Sequence, residues 1–144
     1  FLIAGEGPLR REIEILIKKL NLDENVKLLG FRQDIPEILS LLDLFVLSSS
    51  WEGLGTSLLD ALASRLPVVA TNVGGIPEII KHGLNGILVA PEDPDALAQA
   101  IIHLLKNRDK ARQMGEEGFR IVREKFSVDR MVEQTRRVYD RLVV

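Results

Sequence analysis

The sequence has 144 residues, 46% of them hydrophobic and 28% charged, with a formal net charge of −2 at pH 7. This is the ordinary balance of one globular domain with its own core, and no block of like charge suggests a nucleic-acid partner. The absence of cysteine removes disulfides, thiolate metal sites and cysteine nucleophiles together, and it fits a reducing compartment.

In chain order, Phe1-Leu2-Ile3-Ala4 reads as a buried strand. Because a strand opens the sequence, and opens it with Phe, a preceding segment of the same fold is expected. Pro8 starts a helix with Leu9, Ile13, Leu16, Ile17 and Leu20 on one face. Val26–Leu29 is the next strand. Asp34 is placed to cap a short helix through Leu42, with Pro36 in its first turn. Leu44–Leu47 follows as a strand, then a helix over Gly55–Ser64 that ends before Pro67. Pro67–Ala70 is a strand, Ile76–Lys81 a helix stopped by His82-Gly83, and Ile87–Val89 the last strand. The final third is helical. Asp93-Pro94 opens a helix bearing Leu97, Ala98, Ile101, Ile102 and Leu105; a second spans Ala111–Glu124; a third starts at Ser127 with a stripe of Met131, Val132, Thr135, Val138, Tyr139 and Leu142.

Most of these strands are continuous apolar runs, the pattern of a sheet covered on both faces. The β-α-β-α rhythm with short, right-handed connections predicts one open parallel sheet with helices on both sides, a Rossmann-like α/β fold. No repeat, low-complexity segment or interdomain linker interrupts it, so residues 1–144 read as a single domain. No apolar run approaches the roughly 18 residues of a membrane span, Asp43 breaks the most apolar stretch, and no signal peptide is recognised.

Ligands of open parallel sheets bind beyond the carboxyl ends of the strands. That rule selects the loops Gly5-Glu6-Gly7, Gly30-Phe31-Arg32, Ser48 to Gly55 and Thr71 to Gly75. The third is the richest. Gly53 and Gly55 let the backbone approach a ligand closely. The helix that starts near Gly55 offers free N–H groups and a positive dipole end to a phosphate. Glu52 and Asp60 supply carboxylates that accept hydrogen bonds from paired hydroxyls, as on a sugar or ribose.

Plainer readings compete at each position. A Gly-x-Gly at a strand-to-helix turn serves tight turns as well as phosphates. Glu52 reads equally as a solvated loop charge and Asp60 as an exposed helix residue. A glycosidase pair would also use two carboxylates, but this fold class argues against it. Trp51 is expected to pack rather than to stack on a ligand. His82 and His103 read as helix-end and helix-surface residues with no metal-ligand spacing between them, so no metal is expected. Gly5-Glu6-Gly7-Pro8 lacks the third glycine of a dinucleotide fingerprint. A phospho-receiver would need an aspartate where Leu44–Leu47 runs into Ser48-Ser49-Ser50.

On several of these residues together the sequence resembles the C-terminal domain of the retaining, nucleotide-sugar-dependent glycosyltransferases of family 4 (glycosyl transferases group 1), which have the GT-B fold. Gly5-Glu6-Gly7-Pro8-Leu9 and Val26 to Phe31 match two of its strand-loop segments. Ser49 to Ala63 matches its acidic signature. Leu66 to Thr71 with Gly74-Gly75-Ile76-Pro77-Glu78, then Asn85 to Val89 and Phe126-Ser127, complete the order. Asp60 stands where the family carries Glu, and Leu54 where it carries Phe.

The resemblance implies transfer of a hexosyl group from a UDP- or GDP-sugar to an acceptor sugar or lipid-linked sugar, with retention and without a required metal or other cofactor. It assigns Glu52 to the catalytic position against the donor sugar. It assigns the backbone of Gly53, Leu54, Gly55, Thr56 and Ser57 to the sugar and distal phosphate, Asp60 to the ribose, and Gly30, Phe31 and Arg32 to the base. The family's phosphate-binding Arg and Lys would precede Phe1, and its acceptor side belongs to an N-terminal GT-B domain, so these residues alone are expected to be inactive. The family's last helix usually crosses to that domain, so part of the Met131–Leu142 stripe is expected to be exposed and prone to self-association. The implied location is cytoplasmic, either free or peripheral at the inner membrane face. Two alternatives stay open: a non-catalytic nucleotide-sugar-binding or interaction module, and a sugar epimerase on the same architecture.

Overall fold

The computed structural model describes residues 1–142. The chain divides into two compact units, Phe1–Ile35 and Pro36 onward. The first holds β1 (Leu2–Ala4), α1 (Arg10–Lys19) and β2 (Lys27–Gly30). β1 and β2 pair in parallel, Leu2 against Lys27 and Ile3 against Leu28, and the ladder is tied at its start by Lys27 N–H to the Phe1 carbonyl at 2.9 Å.

Burial in this unit differs from the expected buried strand: Leu2 is 43% and Ile3 41% exposed. The physical reason is supply. Two strands and one helix give too little apolar surface to cover both sheet faces. Only Ile13 and Ile17 of the α1 stripe are half-buried, while Leu9, Leu16 and Leu20 stay exposed. The helix also begins later than expected, at Arg10 after an N-cap at Leu9, so Pro8 lies in the turn before it.

The second unit runs through α2 (Ile35–Ser40), β3 (Phe45–Leu47), α3 (Thr56–Ala63), β4 (Val68–Thr71), α4 (Ile76–Ile79), β5 (Ile87–Val89), α5 (Pro94–Lys106), α6 (Arg108–Lys125) and α7 (Val128–Leu142). Its sheet is parallel, in the order β3-β4-β5. The strands therefore fall into two parallel sheets, where a single ladder was expected; the ladder partners of β3 all lie in β4, and those of β2 in β1. The α/β class itself is as expected, with helices flanking parallel strands.

β4 is central and all four of its residues are buried. Successive strand residues point to opposite faces. Val68 and Ala70 join Leu58, Leu62, Ile76, Ile79 and Ile80 in one cluster, whereas Val69 joins Ala100, Leu104 and Met114 in another. Helices thus cover both faces of β4, which explains its apolar run Val68–Ala70. Burying each fully enclosed Leu or Ile contributes about 1.5–3 kcal/mol.

Helix α6 lies close against the end of α3. A Cβ at Gly115 would stand 2.1 Å from the Arg65 carbonyl oxygen, and one at Gly118 would stand 2.4 Å from Leu62 Cδ2. The Arg65 guanidinium covers the Phe119 ring at 4.2 Å and pairs with Glu116 at 3.0 Å. Two of the helix starts read from the sequence are capped: Asp93 accepts the Ala96 N–H at 2.9 Å, and Ser127 Oγ accepts the Arg130 N–H at 3.3 Å. Helix α7 buries none of its residues; Met131, Val132, Val138, Tyr139 and Leu142 are exposed, as expected for an unpartnered stripe.

Candidate functional site

After Leu47 the chain leaves the sheet and turns through Ser48 to Gly55 before α3 begins. Gly55 is the N-cap of α3 and holds a left-handed φ of 75°. Glycine adopts that conformation without steric cost, and a Cβ there would stand only 3.1 Å from Leu58 Cδ1. No side chain caps the helix. The Leu58 N–H reaches the Gly55 carbonyl at 2.9 Å, but no acceptor among the described residues takes the N–H of Thr56 or Ser57, and both residues are exposed. Free N–H groups at the positive end of a helix are the donor set that an anion needs.

Glu52 is half-buried in the same turn, and Ser49 Oγ donates to its Oε2 at 3.2 Å. The turn is fixed from the neighbouring β4–α4 loop. Thr71 Oγ1 donates to the Ser49 carbonyl at 2.6 Å, and Gly75 N–H donates to the Gly53 carbonyl at 2.7 Å. A Cβ on Gly74 would fall 1.8 Å from the Glu52 oxygen, and one on Gly75 2.5 Å from the Gly53 oxygen. The two loops therefore pack backbone on backbone. Asp60 lies one turn into α3, exposed; its carboxylate has no hydrogen-bond or ion-pair partner among the described residues, while its carbonyl accepts from Ser64.

The structure thus brings Glu52, Gly53, Leu54, Gly55, Thr56 and Ser57 into one segment at the free end of α3, with Asp60 next along the helix. Trp51, expected to pack, is 84% exposed at the outer edge of this turn; the loop tip carries it away from every buried cluster. Thr71, Ser49, Gly74 and Gly75 lie in the selected loops but were given no individual role; the structure has them support the segment. Their signals were a lone hydroxyl ending an apolar strand and a glycine pair in the loop after it.

Gly30, Phe31 and Arg32 lie in the first unit. Gly30 has φ +66° and its carbonyl accepts the Gly5 N–H at 2.8 Å, which ties the two glycine loops of that unit together. Phe31 is 70% exposed. Asp34, expected to cap α2 with its side chain, turns instead to Arg32, whose Nε donates to Oδ1 at 2.8 Å and whose second nitrogen donates to Oδ2. This fork of charge-assisted hydrogen bonds holds the Asp34 carboxyl below its ordinary value and raises Arg32.

Among the described residues no three His, Cys, Asp or Glu side chains converge as metal ligands. His82 accepts the Leu88 N–H at Nδ1, 3.1 Å away, at the turn into β5. A cleft of about 310 Å³ lined by Gly83, Leu84, Lys110, Gln113, Met114 and Glu117 lies apart from the Glu52 turn. No described helix is long and apolar enough to cross a membrane.

With this geometry in hand, comparison with known proteins is specific. The family described as Glycosyl transferases group 1 matches residues 1–120. The chain is 38% identical over 138 residues to N-acetyl-alpha-D-glucosaminyl L-malate synthase of Bacillus anthracis, covering 96% of this chain and 36% of that protein. It superposes on the crystal structure of Anabaena HepE in complex with UDP with a TM-score of 0.91 at 28% identity, covering 96% of this chain and 40% of that one. It also superposes on sucrose-phosphate synthase from Thermosynechococcus elongatus with a TM-score of 0.89 at 30% identity, covering 98% and 38%. The chain spans about a third of the length of the curated relatives it matches.

Proposed function

This chain belongs to the glycosyl transferases group 1 family, and we propose that it holds the nucleotide-sugar donor, a UDP- or GDP-hexose, for retaining transfer to an acceptor sugar or lipid-linked sugar. The observation that carries this reading is the free end of α3: an uncapped helix start at a left-handed glycine, with Glu52 fixed beside it. The structural neighbour solved with UDP supports the nucleotide part of the reading.

In this reading the bond between the anomeric carbon and the diphosphate oxygen breaks, a bond to the acceptor oxygen forms on the same face, and the acceptor hydroxyl proton passes to the departing diphosphate oxygen. Charge that develops on the diphosphate falls on the N–H groups of Thr56 and Ser57, fixed donors that need no reorganisation. Glu52 takes hydroxyl hydrogen bonds from the donor sugar, with Leu54 and the Gly53 and Gly55 backbone beside it. Asp60 accepts from the ribose hydroxyls. Gly30, Phe31 and Arg32 meet the base. No metal is assigned a step.

Because the chain spans about a third of its curated relatives, the reading places turnover in a longer protein whose companion domain carries the acceptor, with the exposed α7 stripe as the surface toward that domain. The 144 residues alone then bind a donor and transfer nothing. Calorimetry with UDP-glucose and GDP-mannose on this chain, repeated for Glu52→Ala, tests the donor site. One donor is expected to bind, and more weakly to the variant. Equal affinity in both proteins removes Glu52 from the site, and donor-dependent activity of the longer protein that EDTA abolishes and Mn²⁺ restores refutes the metal-free reading.

A further inference from the structure

We propose that Thr71 is a positioning residue for Glu52, acting through Ser49, so that its hydroxyl sets affinity for the sugar half of the donor and not for the nucleotide half. The proposal rests on the reading of Glu52 given above.

The parallel ladder between β3 and β4 ends with Leu47 against Ala70. Ser48 and Ser49 then leave the sheet with no strand partner for their carbonyls. Thr71, the last residue of β4 and only 4% exposed, reaches across this gap. Its Oγ1 donates to the Ser49 carbonyl at 2.6 Å; the Leu47 carbonyl lies farther off, at 3.4 Å. A hydroxyl has one proton to give, and the shorter contact takes it. The Ser49 backbone is thereby fixed, and Ser49 Oγ in turn donates to Glu52 Oε2 at 3.2 Å. One polar side chain at the end of an otherwise apolar strand thus controls the carboxylate by way of two hydrogen bonds.

The α3 amides have anchors besides this relay. A Cβ at Gly55 would meet Leu58 and Leu47 as well as Glu52 Cγ, and the Leu58 N–H holds the Gly55 carbonyl at 2.9 Å. Losing the Thr71 hydroxyl should therefore loosen Glu52 while leaving the phosphate end of the site in place. Valine keeps the shape and the β-branch of threonine and removes only the donor; serine keeps the donor.

The test is calorimetric titration of this chain with UDP and with UDP-glucose in five forms: wild type, Thr71→Val, Thr71→Ser, Glu52→Ala and the Thr71→Val/Glu52→Ala pair. Thr71→Val is expected to weaken UDP-glucose about three- to tenfold, the span of one net hydrogen bond, with UDP within about twofold of wild type on the same scale. Thr71→Ser should restore UDP-glucose binding, and Thr71→Val should add nothing once Glu52 is gone. Equal losses for both ligands, or equal losses for the valine and serine variants, overturn the proposal, because packing alone would then explain them. If Glu52→Ala changes neither ligand, the donor reading fails separately. The relay is then still decided by the amide resonances of Glu52, Gly53 and Gly75 in the unliganded chain. They should move in Thr71→Val and stay near wild type in Thr71→Ser; resonances unmoved by valine refute it.

Discussion

Replacing Gly74 with alanine puts one methyl where the Glu52 backbone already is. The added Cβ would sit 1.8 Å from the Glu52 oxygen, and φ at this residue is +51°. Three costs follow. A left-handed conformation costs a non-glycine residue about 1–2 kcal/mol. Backbone shifts forced by overpacking cost about 1–3 kcal/mol. Moving the loops apart also breaks the Gly75 to Gly53 hydrogen bond of 2.7 Å, worth about 0.5–1.5 kcal/mol net. Together they come to about 3 kcal/mol or more, a large share of the roughly 5–15 kcal/mol of a typical domain. Gly53→Ala is the matched control. It lies on the other side of the same contact, but a Cβ there meets nothing within 4 Å and its φ is not left-handed. Urea unfolding followed by circular dichroism should show a lower midpoint for Gly74→Ala at an unchanged slope, and a midpoint near wild type for Gly53→Ala. UDP-glucose affinity should fall in both, for different reasons: a displaced Glu52 turn in one, a methyl on the ligand side in the other. A Gly74→Ala protein within about 0.5 kcal/mol of wild type would refute the backbone-on-backbone packing from which the site is built.

Asp60→Asn should weaken UDP binding by about 1.5–3 kcal/mol if the charged acceptor meets the ribose; equal calorimetric affinity would return Asp60 to the solvated helix face. Asn85 is fully buried, accepts the Lys81 N–H at 2.6 Å and donates to the Ile79 carbonyl at 3.0 Å. Asn85→Ala therefore strands two backbone groups and should cost about 2–4 kcal/mol in urea unfolding. Gly115→Ala should destabilise more than Gly118→Ala, since the first meets the Arg65 backbone and the second the end of the Leu62 side chain, which can turn where backbone cannot; the order of thermal midpoints checks it. Arginine partners hold the carboxyls of Asp34, Glu117 and Glu133 below their ordinary values in the fold. Their stabilisation is therefore present above the ordinary carboxylate range and is lost as pH falls through the lowered folded values. Asp34 and Glu133 are part-exposed and Glu117 is half-buried beside an exposed Arg120, so the acid loss should be modest and should shrink in 1 M NaCl, as read from thermal midpoints between pH 7 and pH 3.

What could be read from the sequence were features local to it. β4 was legible because its buried Val68, Val69 and Ala70 form an apolar run, and α5 because Asp93-Pro94 is a cap followed by a first-turn proline. The Glu52 to Ser57 segment was legible because a helix start, two glycines and a carboxylate lie within a few residues. What failed depended on partners that compete or lie far along the chain. Nothing in Leu2-Ile3 tells how many helices will cover them, and nothing in Trp51 tells that its turn points outward. Asp34 was expected to cap a helix, but an arginine two residues away competes for the same oxygens. The Thr71 to Ser49 bond spans 22 residues, and the contact of Gly74 with Glu52 is made by backbone atoms that every residue type shares. Such contacts leave no chemical signature except the glycine that permits them.

The donor groups at the head of α3 are main-chain atoms, while the side chains of Leu54, Thr56 and Ser57 around them are exposed and make no hydrogen bond within the described residues. Recognition and structure are therefore written in different parts of the same residues. Mutation at these three positions can reshape the wall around an anion without deleting one of its ligands or disturbing the core beneath, where Leu58 and Leu62 are fully enclosed. A site of this kind has a large neutral neighbourhood in sequence space. On the proposed reading, drift at its rim can explore new sugars while the diphosphate stays held, so a change of donor would require no intermediate that has lost the fold.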